Sequence, residues 1–175
     1  MKVGYKDLAI IRKTNKNKQI GLFKGTFDLF HYSHLHVLNE IKSYVDVLIV
    51  EIKSNEDVKN KKGSTRPIIS EEQRAFIVDN IKAVDYTIIA NKREKTSLIE
   101  KLIKENNYSS IEKDKLKRDG YIIEQLKPNF VFSTDEKPFP KVIKDICYEL
   151  NLEPKIIPMH HGMHTTDIIQ KCKKS

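Results

Sequence analysis

The chain has 175 residues, a formal net charge of +8, 39% hydrophobic and 32% charged residues. This balance describes a folded globular chain rather than a disordered one, and the length suits a single domain over 1–175. No apolar run nears the roughly 20 residues that span a bilayer, and Met1 to Gln19 lacks the apolar centre of a signal peptide, so the expected location is cytoplasmic with no membrane partner.

In chain order, "YKDLAIIRK" reads as a short helix and "QIGLFK" as the first strand. "SHLHVLNEIKSY" follows with Leu35, Leu38 and Ile41 at helical spacing, before the buried strand "VDVLIVEI". "SNEDVKNKKGSTRP" lacks apolar periodicity and reads as a long loop. Ser70 caps a helix over "SEEQRAFIVDNI", with acids in its first turn and Phe76, Ile77 and Ile81 on one face. "VDYTIIA" is the third strand, and a helix from Thr96 to Glu105 presents Leu98, Leu102 and Ile103. "NNYSSIEKDKLKRDG" is highly charged with little periodicity, and "YIIEQLK" is a short helix ending before Pro128. "NFVFST", "KVIKDICYEL", "PKIIP" and "HTTDIIQKC" then alternate strand and helix. Strands alternating with crossover helices predict an α/β, Rossmann-like three-layer sandwich with a five-stranded parallel sheet.

The basic balance invites a nucleic-acid reading, but the lysines are scattered and interleaved with acids, and no recognition helix or stacking motif is visible. No nucleic-acid partner is expected; the excess charge points to small anionic ligands or to a solvated surface. Cys147 and Cys172 show no metal or redox spacing and read as ordinary thiols.

The chemistry concentrates at "GTFDLFHYSH", residues 25–34, directly behind the first strand. In a doubly wound sheet, ligands bind beyond the carboxyl ends of the strands. Gly25 lets the backbone turn and approach an anion, and the helix starting near Ser33 adds the positive end of its dipole. His31 and His34 either donate hydrogen bonds to phosphate oxygens or serve as a turn cap and an ordinary helix-face residue. Thr165 and Thr166, ahead of Asp167, are an N-cap signature or a second helix terminus for phosphates.

These residues resemble the G-[TC]-F-D-x-x-H-x-G-H signature of the cytidylyltransferase-like nucleotidyltransferases. "KNKKGSTRPIISEEQR" resembles the K-G-x-x-R-P-[VI]-x-x-x-E-Q-R stretch of that family, and "HGMHTTDII" its G-[IVC]-S-T-T-[DEN]-I-I motif. The resemblance runs from about residue 5 to residue 172, and touches both the glycerol-3-phosphate and phosphocholine cytidylyltransferases, which use CTP, and the heptose-1-phosphate adenylyltransferase domains, which use ATP.

The resemblance implies transfer of a nucleoside monophosphate from CTP or ATP to a small phosphorylated alcohol or sugar, with release of pyrophosphate. His31 and His34 would hold the triphosphate, and Lys62 would bridge acceptor and α-phosphate, with Lys59 as its companion. Lys24, Gly25, Thr26, Phe27, His164, Thr165 and Thr166 would belong to the nucleotide site, and Asp28, Lys59, Arg74 and Asp135 to the acceptor side. Arg74 is alternatively an exposed salt bridge, and Asp28 a conformational residue. Mg²⁺ is expected with the nucleotide, held by phosphates and water, so no protein metal ligands are expected; a zinc reading of "HHGMH" lacks completing ligands. A homodimer is an expectation by analogy. The departures are Ser33 in the glycine position of the motif, Met159 near an expected Arg, His164 in place of Ser, and "STD" in place of a glycine-rich turn. They leave open a catalytically weak, nucleotide-binding relative.

Overall fold

A computed structural model describes residues 1–91, 94–158 and 165–174. Its strands are β1 (Ile20–Gly25), β2 (Val47–Lys53), β3 (Tyr86–Ala90), β4 (Phe130–Thr134) and β5 (Glu153–Ile157), all parallel in the order β3-β2-β1-β4-β5. The helices are α1 (Leu8–Thr14), α2 (Tyr32–Lys42), α3 (Asn55–Lys62), α4 (Glu71–Asp79), α5 (Ser97–Glu105), α6 (Ser110–Leu126), α7 (Lys141–Glu149) and α8 (Thr165–Lys174). This is the expected Rossmann-like three-layer arrangement. Strand order reverses between β1 and β4, which opens a crevice at their carboxyl ends. Among the described residues no helix is long and apolar enough to cross a membrane.

Side-chain alternation divides the core. Ile20 and Leu22 of β1 and Val47 and Ile49 of β2 face the layer of α1, α5, α6 and α7, whereas Phe23, Leu48, Val50 and Ile52 face α2 and α4. The same alternation places Lys24, Glu51 and Lys53 on the α6 face, with Lys24 in register against Glu51. Charge at the ends of two central strands therefore converges beneath α6.

Two segments depart from the sequence reading. The expected loop "SNEDVKNKKGSTRP" contains α3, capped by Ser54, whose hydroxyl accepts the Asp57 amide at 3.1 Å. Glu56 and Asp57 in its first turn and Lys59, Lys61 and Lys62 in its last complement the helix dipole. Val58 is its only buried residue, so apolar periodicity had nothing to register. The second departure is α6, which runs unbroken from Ser110 through the rest of the charged segment of little periodicity and through the short helix expected after it. Its stripe is Leu116, Gly120 and Ile123, and the glycine hides the period: a Cβ there would press on Ile146 and Leu116 at 3.1 and 3.2 Å. In α4 the buried side is Arg74, Ala75 and Val78, and Phe76, expected on the apolar face, is 71% exposed.

Candidate active site

A cavity of about 540 Å³ opens at the crevice, between the loop that follows β1, the end of β4 and the starts of α2 and α8. The loop is shaped by Phe27 and Leu29, both with positive φ (55° and 49°), between Gly25 and the His31 cap of α2. Gly25 is required because a Cβ would overlap the Phe27 ring, which is buried against Phe23, Phe30 and His34. Ser33, in the glycine position of the motif, is 1% exposed and lies in the cavity wall.

The two histidine rings lie 3.9 Å apart between centroids, and the His31 backbone N–H donates to His34 Nδ1 at 3.3 Å. That bond leaves the His34 proton on Nε2. Burial, followed by the charges of His31, Lys137 and Lys62, lowers the His34 pKa to about 3, with Asp28 opposing. His34 is thus a neutral donor at physiological pH.

Asp28 and Arg74 organise the cradle from below. Asp28 is 1% exposed and accepts from Arg66 Nε at 2.7 Å, from the Ile68 amide at 3.1 Å and from the Ile69 amide at 3.0 Å. Burial alone would raise its pKa; the two amides and Arg66 outweigh it and hold the carboxyl below its usual range. Asp28 is therefore conformational, and its carboxylate is not offered to a substrate. Arg74 was expected at the acceptor or in an exposed salt bridge, and it is in neither place. It is 0% exposed, donates to the carbonyls of Ile69 (3.0 Å), Lys53 (2.8 Å) and Thr26 and to Asn55 Oδ1 (3.0 Å), and does not line the cavity. A guanidinium carries five donors in a rigid fork, which suits it to joining three chain segments.

Lys24 lines the cavity but is committed to carboxylates, with Nζ 2.6 Å from Asp119 and 3.0 Å from Glu51. Burial would lower its pKa; Glu51 and Asp119 overcome this and keep it above its usual value. Arg118 completes the pairing of Asp119 at 3.0 Å, and Tyr5 donates its hydroxyl to Glu51 at 2.8 Å. Burial raises the Glu51 pKa, while Asp119, despite its own burial, is held low by Lys24 and Arg118. Lys24, expected as a nucleotide contact, borders the cavity and serves as the internal counter-ion of this network.

Five other lysines surround the cavity: Lys53, Lys61, Lys62, Lys115 and Lys137. None forms a salt bridge with a carboxylate among the described residues. Burial lowers Lys62, with Lys137 and Arg66 adding repulsion, and burial with Lys24 and Lys61 brings Lys53 down to about 7. A shared lowering of lysine pKa values around one hollow is the signature of an electropositive site.

His31, His34, Lys62, Gly25, Thr26 and Phe27 all border the cavity, as do Thr165 and Thr166. The Thr165 hydroxyl donates to the Asp28 carbonyl at 2.8 Å, tying α8 to the loop after β1. Lys59 and Asp135, expected on the acceptor side, do not border this cavity; both are exposed, Lys59 on α3 and Asp135 just beyond β4. His164 and Met159 lie outside the described residues, as does the "HHGMH" stretch. Among the described residues no three His, Cys, Asp or Glu side chains form a metal cluster. Sequence reasoning missed Lys53, Lys61, Lys115, Asp119 and Lys137. The alternation of Lys24, Glu51 and Lys53 at strand ends was a readable signal for the first; Lys61, Lys115 and Asp119 required α3 and α6 to be recognised as helices, and Lys137 lies in the segment between β4 and α7.

Comparison with known proteins places this geometry among relatives. The model of the cytidylyltransferase-like family matches residues 22–171. A bifunctional protein HldE of Geobacter metallireducens is 38% identical over 157 residues, covering 89% of this chain and 27% of the relative. The bifunctional protein HldE of Helicobacter pylori strain J99 is 27% identical over 167 residues, covering 95% and 30%. The chain thus spans less than a third of the length of these curated relatives. Among solved structures, a pantoate-beta-alanine ligase from Francisella tularensis, complexed with beta-gamma ATP and beta-alanine, superposes with a TM-score of 0.64 at 19% identity, covering 99% of this chain and 77% of that one. A lipopolysaccharide core biosynthesis protein from Thermoplasma volcanium gives a TM-score of 0.55 at 19% identity, over 83% and 99%. At these identities the two structures establish a shared fold.

Proposed function

The chain belongs to the cytidylyltransferase-like family, and we propose that it is a nucleotidyltransferase moving a nucleoside monophosphate from a nucleoside triphosphate to the phosphate of a small sugar or polyol, with release of pyrophosphate. The observation that carries this reading is the cavity at the sheet's switch point, ringed by five lysines without carboxylate partners among the described residues and by the His31–His34 pair. Such a site attracts a triphosphate together with a phosphate monoester. ATP and a phosphorylated sugar are favoured over CTP by the resemblance to heptose-1-phosphate adenylyltransferase domains and by the relatives named HldE.

In the proposed reaction an acceptor phosphate oxygen attacks the α-phosphorus in line. The new O–P bond forms as the bond from the α-phosphorus to the β-phosphate oxygen breaks, and the electron pair leaves with pyrophosphate. A phosphate monoester has a second pKa of about 6, so the nucleophile is already ionised and no strong general base is needed. Rate enhancement then rests on alignment and charge neutralisation. The neutral His34 donates through Nε2–H, His31 stands beside it, and Lys62 and Lys137 supply the cationic field. The main-chain amides of the loop after β1 and of the first turn of α8 add donors at the helix ends.

Mg²⁺ enters this proposal as the counter-ion of the nucleotide substrate. The nearby carboxylates of Asp28 and Asp119 are committed to cations, so the chain's donor set fits an ion carried by phosphates and water and not a resident one.

Buried Ser33 favours one other reading, a nucleotide-binding relative with weak catalysis, because a side chain stands where the motif has glycine. Pyrophosphate release separates the two. With ATP or CTP, Mg²⁺ and a panel of glycerol-3-phosphate, ribitol-5-phosphate, heptose-1-phosphate and phosphocholine, an enzyme turns over one pair and loses turnover in His34→Ala. Nucleotide binding without release across the panel would favour the weak relative.

A further inference from the structure

A second hollow of about 350 Å³ lies between α3 and α6, floored by Lys53. It shares Lys53, Lys61, Lys115 and Asp119 with the larger cavity, so the two meet along a common wall. Its other sides are Asp57, Asn60, Asp114 and Arg118, which makes every lining residue charged or an amide. The acids lie against cations already: Arg118 is 3.5 Å from Asp57, 3.7 Å from Asp114 and 3.0 Å from Asp119, and Asp119 also holds Lys24. Lys53, Lys61 and Lys115 form no salt bridge among the described residues. The residual charge of the common wall is therefore positive, while the far side offers oxygen and amide groups.

Resting on the nucleotidyltransferase reading, we propose that this side hollow is the acceptor subsite, in which Lys53, Lys61 and Lys115 hold the acceptor phosphate at the common wall while Asn60, Asp57 and Asp114 receive its hydroxyl groups. The position suits the chemistry, since a phosphate on the common wall faces the larger cavity where the triphosphate would lie. The lining also sets the class of acceptor. A trimethylammonium head group is recognised by aromatic faces, and this hollow has none; neutral hydroxyls are matched by carboxylate and amide acceptors. The acceptor is a phosphorylated sugar or polyol, and phosphocholine is disfavoured. Burial lowers the Lys115 pKa, in keeping with an ammonium held away from bulk water beside other cations.

The test is calorimetric titration of the full chain and of Lys115→Ala and Lys115→Arg, first with α,β-methylene-ATP and Mg²⁺, then of each nucleotide complex with ribitol-5-phosphate, heptose-1-phosphate, phosphocholine and inorganic phosphate. The expected result is a nucleotide affinity that falls in Lys115→Ala by less than the acceptor-phosphate affinity does, since Lys115 borders both hollows. Inorganic phosphate and the hydroxylated phosphates should bind Lys115→Ala about five- to tenfold more weakly, and Lys115→Arg should recover most of that loss. Unchanged phosphate binding in Lys115→Ala, absence of phosphate binding to the wild-type complex, or preference for phosphocholine over the hydroxylated phosphates would each overturn the subsite while leaving the nucleotide site standing. Failure of the wild type to bind nucleotide would overturn the nucleotidyltransferase reading and the subsite together.

Discussion

The backbone N–H of His31 donates to Nδ1 of His34 at 3.3 Å, which fixes the tautomer of the second imidazole and leaves its Nε2–H as the donor. The first helical turn of α2 thus orients a neutral side chain at the mouth of β1. Removing that donor in His34→Ala should lower kcat about 10²- to 10³-fold with a smaller change in nucleotide affinity, as read from steady-state pyrophosphate release.

The same residue governs part of the acid sensitivity. With a folded pKa of about 3 against an ordinary 6.5, His34 stays neutral while the unfolded chain takes up a proton. Stability must fall as pH drops from about 6.5 towards 3. Melting temperatures of wild type and His34→Gln should converge towards low pH, with the variant showing the flatter profile above pH 4.

Arg74 joins the carbonyls of Thr26, Lys53 and Ile69, so its loss leaves buried acceptors unpaired. Arg74→Ala should cost about 3 kcal/mol or more of unfolding free energy in urea titration. Arg74→Lys should recover only part of it, because an ammonium cannot span the three carbonyls as the guanidinium fork does. A substrate-contact role would instead leave stability intact and raise a KM.

Lys53 behaves in the opposite sense. Its folded pKa is lowered from 10.5 to about 7, so the unfolded chain holds the extra proton between those values and stability rises with pH across that window. Lys53→Met should therefore raise the melting temperature at pH 7, with the gain shrinking towards pH 10, while weakening inorganic phosphate binding. This is the trade expected where a site keeps an unpaired buried charge for its ligand.

Asp28 is held low by the Ile68 and Ile69 amides and by Arg66, against the opposing effect of burial. Its contribution is present above the ordinary carboxylate pKa near 3.8 and is lost as pH falls below it. Asp28→Asn keeps the shape and removes the charge. It should lower the melting temperature at pH 7 and narrow the difference from wild type towards pH 3, measured by circular dichroism.

The sheet was legible because its strands carry their burial in the sequence. "VDVLIVEI" is apolar enough to be buried on both faces, and each strand is followed by a helix of adequate length to cross back. The motif at residues 25–34 was legible because glycine, aromatic and histidine positions are local. The elements that failed are those whose stability is not written as an apolar stripe. In α3 the stabilising terms are the Ser54 cap and the charge gradient, and in α6 Gly120 stands in the stripe. With those helices went the lysines they carry. The role of Arg74 was hidden for a different reason: its partners are backbone carbonyls from separate loops, and carbonyls have no sequence signature. Lys24 was placed at the right end of the right strand, but its pairing with Asp119 depends on a contact 95 residues away.

The most direct test of the account is phosphorus NMR of the full chain with ATP, Mg²⁺ and a hydroxylated sugar or polyol phosphate, taking heptose-1-phosphate and ribitol-5-phosphate in turn. The account predicts paired diphosphate resonances of a nucleotide-linked product growing in step with pyrophosphate, and neither signal in His34→Ala. Unchanged spectra with ATP and equally with CTP, in a protein shown to be folded and to bind neither nucleotide, would contradict it.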